Sequence, residues 1–246
     1  IPENLLIYIS QNINYAVIEY DYKFCKWRSQ PKHQFLEDEC KCPHETRGKL
    51  ISIFYHSAKS LWFMSEEQKK IYYEYFPFLK KKSFVLSSNF TDETLGIIQN
   101  LKKDTPEKDD KWLFLNSQSW IKGLADCVRY ARKNNLNYEL VGGLSYVDML
   151  KKLSQSRGLI FMPKAHDTCP RIVIEAKLLG CKLILNENVQ HKNEEWFTTS
   201  EKMVNHFRER KKFFWNEILS HIYINHYLKE YEGHSKNDSR FVIVVP

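Results

Sequence analysis

The sequence predicts an α/β fold made of two halves, each built on a parallel sheet. Short apolar runs alternate with helix-like stretches, which is typical of strands joined by crossover helices. The runs are continuously apolar, as expected for strands that are covered on both faces. The chain has 246 residues, of which 43% are hydrophobic. This length suits two units of about 100–150 residues each.

The predicted strands are short apolar runs bounded by polar residues or glycine. One further run, FVIVV, closes the sequence just before a proline. The strands are expected at residues 5–10, 15–20, 61–65, 83–87, 112–116, 138–142, 159–163, 182–186 and 241–245.

Helices are predicted where a capping residue precedes an amphipathic stretch. Ser65 comes before two glutamates, which favour the positive end of a helix dipole. The stretches KGLADCVRYARKN and SYVDMLKKLSQS follow the same plan. The stretch that starts at Pro170 ends at Gly180, a residue type that suits a C-terminal cap.

The domain limits are predicted from one charged segment, residues 101–111, which contains a proline and has no apolar periodicity. We interpret this segment as a linker or surface loop between a short N-terminal half, residues 1–100, and a second half, residues 101–200. Helices are expected at 201–235, and residues 236–246 are expected to be a linker or the edge of a following domain.

The composition restricts the compartment and the class of partner. The net charge is +7, which suits an anionic partner such as a nucleotide, a membrane surface or a nucleic acid. No apolar run approaches the roughly 18 residues of a membrane span, and no signal segment opens the chain. We therefore expect a soluble, cytoplasmic protein. The basic runs at 80–82 and 208–212 are usually solvated faces, with peripheral contact to an anionic membrane as the alternative.

Cysteine and histidine are concentrated near the N-terminus. Cys25, Cys40, Cys42 and His44, with His33 between them, are candidate zinc ligands. Their spacing is not that of paired C-x2-C knuckles, so a disulfide and ordinary reduced thiols remain as alternatives. We expect ordinary thiols and no bound metal.

Two carboxylates, Asp167 and Glu175, flank the predicted start of a helix. Pro170 fits the first helical position, and Thr168 or Asp167 can cap the helix. The first-turn N–H groups attract anions such as a pyrophosphate, and ligands of open parallel sheets lie beyond the carboxyl ends of strands. Glu175 then suits a ribose diol and Asp167 a sugar hydroxyl. The alternatives are an exposed surface carboxylate for Glu175 and capping alone for Asp167.

This region resembles the E-x7-E motif of nucleotide-sugar-dependent glycosyltransferases of the GT-B fold, in their group 1 or family 4-like branch. The usual pattern is Glu-Gly-Phe-Gly-x-Pro-x-x-Glu-Ala, followed by a small-residue turn and an apolar strand. The chain keeps Glu175 and Ala176, has Asp167 for the first glutamate, and reads Thr-Cys-Pro at 168–170 where the family is rich in glycine.

A second match lies upstream, where LNSQSWIKG occupies the place of the family's Gly-Arg-x4-Lys-Gly loop. Lys122 and Gly123 match that loop, whereas Ser117 stands at the position of the arginine. The segment YELVGG, which ends at Gly143, matches the strand and glycine turn that usually follow.

The resemblance implies two Rossmann-like halves with a cleft between them, of which the second binds a UDP- or GDP-sugar. It implies a retaining transfer to a glycan or another acceptor, without a required metal or other cofactor. Lys122 is implied to stabilise the diphosphate leaving group and Asp167 to position the sugar, which makes both catalytic. The implied donor-binding residues are Ser117, Lys122, Gly143, Asp167, Thr168, Cys169, Arg171 and Glu175.

Two residues at the end of an N-terminal strand, Glu19 and Asp21, are candidate acceptor contacts. The final run SRFVIVVP resembles the first strand of a GT-A-type glycosyltransferase, and the sequence starts at Ile1 without an initiator methionine. We therefore expect one module of a larger glycosyltransferase with an adjacent domain.

Two other functions remain open. The Ser117 departure and the short first half favour a non-catalytic GT-B-like binding module. A nucleic-acid-binding protein is the second alternative, but the charge is dispersed and no binding motif accompanies it, so we expect no nucleic-acid partner.

Overall fold

The computed structural model describes residues 2–104, 107–231 and 241–244. Within these residues the chain forms a mixed α/β fold with two four-stranded parallel sheets, which confirms the predicted fold class of two Rossmann-like halves. The described residues divide into two compact units. Unit 1 draws on 1–87 and 208–246, and unit 2 on 88–207. Across the described ranges, no helix is both long enough and apolar enough to cross a membrane.

Unit 1 is a parallel sheet with the strand order β3-β2-β1-β8 and helices between its strands. Its core is rich in aromatic residues, among them Tyr15, Phe54 and Tyr72, which are fully buried. Ser65 caps α4 as predicted, because its hydroxyl accepts the N–H of Gln68 at 3.1 Å. The elements are α1 Glu3–Asn12, β1 Asn14–Glu19, α2 Gln30–Glu37, α3 Thr46–Ser57, β2 Ser60–Phe63, α4 Glu66–Tyr75, β3 Ser83–Val85 and β8 Phe241–Val244.

The first predicted strand, residues 5–10, is wrong, because this segment lies in helix α1. Leu6 and Ile9 are buried whereas Ile7 and Tyr8 are about half exposed, a spacing that matches the helical repeat. A short apolar run does not by itself distinguish a strand from a half-buried helix.

The final apolar run forms a strand, as predicted, but this strand belongs to the sheet of unit 1. We expected residues 236–246 to be a linker or the edge of a following domain. Residues 236–240, 245 and 246 lie outside the described residues, whereas β8 pairs in parallel with β1, from Asn14 opposite Phe241 to Val17 opposite Val244. Val244 is buried in the same core cluster as Tyr15 and Val17. The run therefore completes the sheet of unit 1, because the otherwise open edge of β1 supplies its backbone partners.

Unit 2 has the strand order β5-β4-β6-β7. The predicted linker at 101–111 lies inside this unit, since α5 continues to Asp104 and buries Leu95 and Ile98. The boundary after residue 87 thus differs from the predicted one at 100. The elements are α5 Asp92–Asp104, β4 Trp112–Leu115, α6 Leu124–Lys133, β5 Tyr138–Val141, α7 Tyr146–Gln155, β6 Gly158–Phe161, α8 Arg171–Leu178, β7 Lys182–Leu185 and the start of α9 Ser200–Tyr231.

The sheet of unit 2 reverses its winding direction between β4 and β6. The chain passes from β4 to β5 on one side of β4 and then returns to place β6 on the other side. In open parallel sheets, ligands bind beyond the carboxyl ends of the strands at such a switch point. The loops that follow β4 and β6 are therefore where a ligand site is expected.

Candidate functional site

A lysine and a carboxylate meet at the switch point of unit 2. Lys122 follows β4 in a short 3-10 helix, Trp120–Lys122, and Asp167 lies in the loop after β6. Lys122 Nζ is 2.7 Å from Asp167 Oδ2. The lysine side chain is 34% exposed and that of the aspartate 11% exposed. The pair joins two loops and presents a partly solvated cation.

The position of Lys122 depends on the glycine that follows it. Gly123 has φ +65°, and a Cβ there would lie 1.8 Å from the carbonyl oxygen of Met162. The glycine ends the 3-10 helix and begins α6, so this turn comes directly against the end of β6. The N–H of Lys164 donates to the carbonyl of Ile121 at 2.8 Å and links the same two loops.

Asp167 is held by its backbone as well as by its carboxylate. Its N–H donates to the carbonyl of Asn188 at 2.8 Å, and its own carbonyl accepts the N–H of Gln190 at 3.1 Å. Because its carboxylate turns to Lys122, the prediction that Asp167 caps the following helix is wrong. Pro170 is the N-cap residue of α8, one position earlier than predicted, and makes no side-chain cap.

The second carboxylate, Glu175, is buried rather than exposed on a surface helix. Its Oε1 accepts the hydroxyl of Tyr146 at 2.9 Å and lies 3.5 Å from Arg171 Nε. Burial raises the pKa of Glu175, and the hydroxyl and the guanidinium oppose that rise. Burial and the neighbouring carboxylate together raise the pKa of Tyr146 to about 12.

Tyr146 was missed by the sequence reasoning. It is the first residue of α7 and follows Ser145, whose hydroxyl accepts the N–H of Asp148 at 3.2 Å. Its ring lies 5.8 Å from the guanidinium of Arg171, which also stacks on Phe90 at 4.6 Å. The serine cap identifies the helix start, but the contact with α8 is visible only in the tertiary structure.

The other predicted donor residues differ in their contacts and in their exposure. The hydroxyl of Ser117 accepts the N–H of Ser119 at 3.2 Å and shapes the loop after β4. Cys169 is buried, and Ser88 binds it through two contacts, to the sulfur at 3.3 Å and to the carbonyl at 2.8 Å. Burial raises the pKa of this thiol to about 12. Gly143 is exposed with φ +70°, and Thr168 is buried.

The two candidate acceptor residues belong to a network at the end of β1 in unit 1. Glu19 has no exposed surface, and its carboxylate accepts the hydroxyl of Tyr55, the N–H of Asp21 at 3.0 Å and Lys23 Nζ at 3.3 Å. Burial raises the pKa of Glu19 to about 7. Asp21 pairs with Lys23 and Arg28. Glu19 is therefore not placed to contact an acceptor.

The candidate zinc ligands are only partly those predicted. Cys25, Cys40 and Cys42 come together with His33, whereas the ring of His44 lies against Tyr75 at 6.4 Å. This group belongs to unit 1 and shares no residue with the carboxylates of unit 2.

No model of a known protein family matches the chain, and no curated protein is significantly similar to it in sequence.

Proposed function

We propose that unit 2 binds a nucleotide sugar and that the protein is a glycosyltransferase, which passes the sugar to a glycan or a related acceptor. The observation that carries the proposal is the Lys122–Asp167 pair at the switch point between β4 and β6. The pair places a cation and a carboxylate where parallel sheets of this type bind phosphorylated ligands.

In this proposal Lys122 binds the diphosphate of the donor. In the structure its charge is balanced by Asp167, whose Oδ2 lies 2.7 Å from Lys122 Nζ. A diphosphate carries more negative charge than one carboxylate, so it competes for the lysine and releases Asp167 to accept a hydroxyl of the sugar. The ammonium group then stabilises the charge that develops on the leaving diphosphate.

Arg171 and the start of α8 add positive potential on the same side of the sheet. The arginine side chain is 52% exposed, and α8 begins at this residue. N–H groups of a first helical turn favour an anion. These groups supply the charge for a retaining, metal-independent transfer of the kind that the resemblance implies.

Glu175 is proposed to bind the ribose of the donor together with Tyr146. Because the carboxylate is only 5% exposed, the Tyr146 side chain has to turn away or share its hydroxyl with the ribose diol. Tyr146 is 42% exposed, which leaves it room to move.

A non-catalytic binding module is the second candidate. Ser117 provides no cation at the position where the resembled family has an arginine. With Lys122 already paired to Asp167, the site has less free positive charge to stabilise a leaving group. Such a module binds the nucleotide sugar without cleaving it.

Binding is tested first by a thermal-shift screen of UDP-, GDP-, ADP- and CMP-sugars, because a ligand that binds only the folded state raises the melting temperature. Calorimetry with Lys122→Ala then measures the affinity for the matching nucleoside diphosphate and for the nucleoside. We expect a loss of about tenfold or more for the diphosphate, from one charge-assisted contact, and little change for the nucleoside.

The matched control is Lys133→Ala, an exposed lysine at the end of α6, which should leave both affinities unchanged. Equal losses for diphosphate and nucleoside in Lys122→Ala would remove the phosphate contact. A screen in which no nucleotide sugar stabilises the protein would refute the proposal.

Release of the nucleoside diphosphate, measured for the parent and for Asp167→Asn, separates the two candidates. A glycosyltransferase releases the nucleoside diphosphate, and Asp167→Asn should abolish that release. A binding module releases none in either protein.

A further inference from the structure

Four side chains with metal-binding atoms converge in unit 1, at the segment between β1 and α3. The Sγ atoms of Cys25, Cys40 and Cys42 and the ring nitrogen Nδ1 of His33 all lie within 4.8 Å of one another. Three of these residues are buried and Cys40 is half-buried. The group is therefore enclosed by protein.

Three of the distances inside this group are those expected around a tetrahedral zinc ion. With Zn–S bonds of about 2.3 Å and Zn–N bonds of about 2.0 Å, a regular tetrahedron places two sulfurs about 3.8 Å apart and a sulfur and a nitrogen about 3.5 Å apart. Cys25 Sγ lies 3.8 Å from Cys40 Sγ, and His33 Nδ1 lies 3.5 Å from Cys25 Sγ and 3.4 Å from Cys42 Sγ.

The histidine ring is oriented as a metal ligand is. Its Nδ1 faces the sulfurs, while its Nε2 lies 3.5 Å from Glu37 Oε2, one turn further along α2. Glu37 is in turn held by the indole N–H of Trp27 at 2.8 Å and by Lys26. A carboxylate on the far nitrogen of a ligating histidine fixes the tautomer that offers the other nitrogen to the metal.

We propose that Cys25, His33, Cys40 and Cys42 bind one Zn²⁺ ion in a closed Cys3His site. Thiolate and imidazole ligands in tetrahedral arrangement favour zinc among the common cellular ions. The four protein ligands complete the coordination and leave no position for water or substrate, so the ion is structural.

Hydrogen bonding between ordinary thiols accounts for less of the geometry. A neutral ring nitrogen with a free lone pair accepts one hydrogen bond, whereas His33 Nδ1 is close to two sulfurs at once. A disulfide between Cys25 and Cys40 does not explain why Cys42 and His33 also lie beside these two sulfurs. A central ion accounts for all four side chains.

The surrounding backbone shows what the ion holds together. Gly48 of α3 packs so closely on the ligand segment that a Cβ there would lie 2.2 Å from the carbonyl oxygen of Cys42. Arg28 and Asp38, at the two ends of α2, have φ of +55° and +65°. The ion would thus link α2 and its two flanking turns to the core of unit 1, which includes Cys25 and Cys42.

The test is elemental analysis of the untagged full-length chain after gel filtration. We expect one zinc per chain, strongly reduced in Cys40→Ser and in His33→Ala. The matched controls are His44→Ala, which removes the neighbouring histidine, and Cys127→Ser, which removes a buried thiol of unit 2. Both should keep the zinc. A parent protein with no zinc, or zinc lost in His44→Ala and kept in His33→Ala, would overturn the proposal.

A second measurement does not depend on the variants remaining folded. Zinc of the parent protein is replaced by Co²⁺, and the visible spectrum is recorded. Intense absorption bands of tetrahedral cobalt with sulfur-to-metal charge transfer support the site. A spectrum typical of octahedral, oxygen-bound cobalt contradicts it, as does an intact mass two hydrogens lower than the reduced chain. Neither result depends on whether unit 2 binds a nucleotide sugar.

Discussion

Two buried carboxylates of this protein are each hydrogen-bonded to a tyrosine. Glu19 and Glu175 lie in different units, yet each is buried and each accepts a tyrosine hydroxyl, from Tyr55 and Tyr146 respectively. In both cases burial is the largest cause of a raised carboxyl pKa. Hydrogen bonds from the tyrosines partly offset the loss of water around the charge.

His191 is expected to make unit 2 less stable in acid. Its ring is fully buried, stacks on Trp196 at 5.4 Å, and neither nitrogen has a hydrogen-bond partner among the described residues. Burial lowers its pKa to about 3, against about 6.5 in the unfolded chain. Between about pH 6.5 and about pH 3 this histidine is therefore protonated in the unfolded chain but neutral in the folded one. The free energy of unfolding falls as the pH drops through this range.

The measurement is urea unfolding of the parent and of His191→Phe between about pH 7.5 and about pH 3.5. Phenylalanine keeps the stacked ring but does not titrate, so the variant should lose less stability in acid than the parent. His56→Phe, at an exposed histidine of α3, is the control and should follow the parent. Identical pH dependence in all three proteins would show that His191 does not contribute.

At the scale of elements, two glycine turns of unit 2 differ in how closely other atoms approach the glycine. Gly123 and Gly143 both follow the carboxyl ends of neighbouring strands of unit 2, and both have positive φ, +65° and +70°. A Cβ at Gly123 meets the Met162 carbonyl at 1.8 Å, whereas a Cβ at Gly143 has no atom within 4 Å. At Gly123 both the positive φ and the close packing exclude a side chain, whereas at Gly143 only the positive φ disfavours one.

Gly123→Ala should therefore be much more destabilising than Gly143→Ala. The left-handed conformation costs roughly 1–2 kcal/mol for a non-glycine residue, and this cost applies to both variants. The added clash at Gly123 must be relieved by moving the turn that carries Lys122, so the proposed nucleotide binding should weaken as well. Chemical denaturation and calorimetry measure the two effects. Equal stability losses in the two variants would contradict the close approach.

At the scale of the whole molecule, the chain forms two parallel sheets, and the residues of one unit are inserted in the sequence between two parts of the other. Unit 1 takes residues from both ends of the sequence, and unit 2 is the continuous stretch 88–207. Each sheet has its first strand in the interior, since β1 lies between β2 and β8, and β4 lies between β5 and β6. Residues far apart in sequence thus complete the first sheet.

Removal of residues 241–246 should destabilise unit 1 and leave unit 2 intact. The shortened chain exposes one edge of β1 and loses Val244 from the core. The loss of that side chain alone is worth about 1.5–3 kcal/mol. Hydrogen exchange should become faster in Asn14–Glu19 and stay unchanged in Trp112–Leu115 of unit 2, the internal control. Unchanged exchange in both strands would mean that β8 contributes nothing.

The α/β class and the parallel strands of unit 2 are predictable from the sequence alone. Strands buried on both faces need continuous apolar runs, and the connecting helices carry their own caps, so both signals are local. The order of Lys122 and Gly123, then Asp167, and then Glu175 is also a local signal, because each follows a strand end or lies in the next helix. Their role in binding a nucleotide sugar stays a prediction.

Features that depend on distant partners are visible in the tertiary structure alone. The helical state of the apolar run in α1 and the pairing of β8 with β1 are set by what each segment packs against. The boundary at residue 87, the burial of Glu175 under Tyr146, and the choice of His33 rather than His44 beside the cysteines are of the same kind. In each case the deciding contacts join segments that are far apart in the sequence. Neither the spacing nor the periodicity of residues shows which of several candidate side chains makes such a contact.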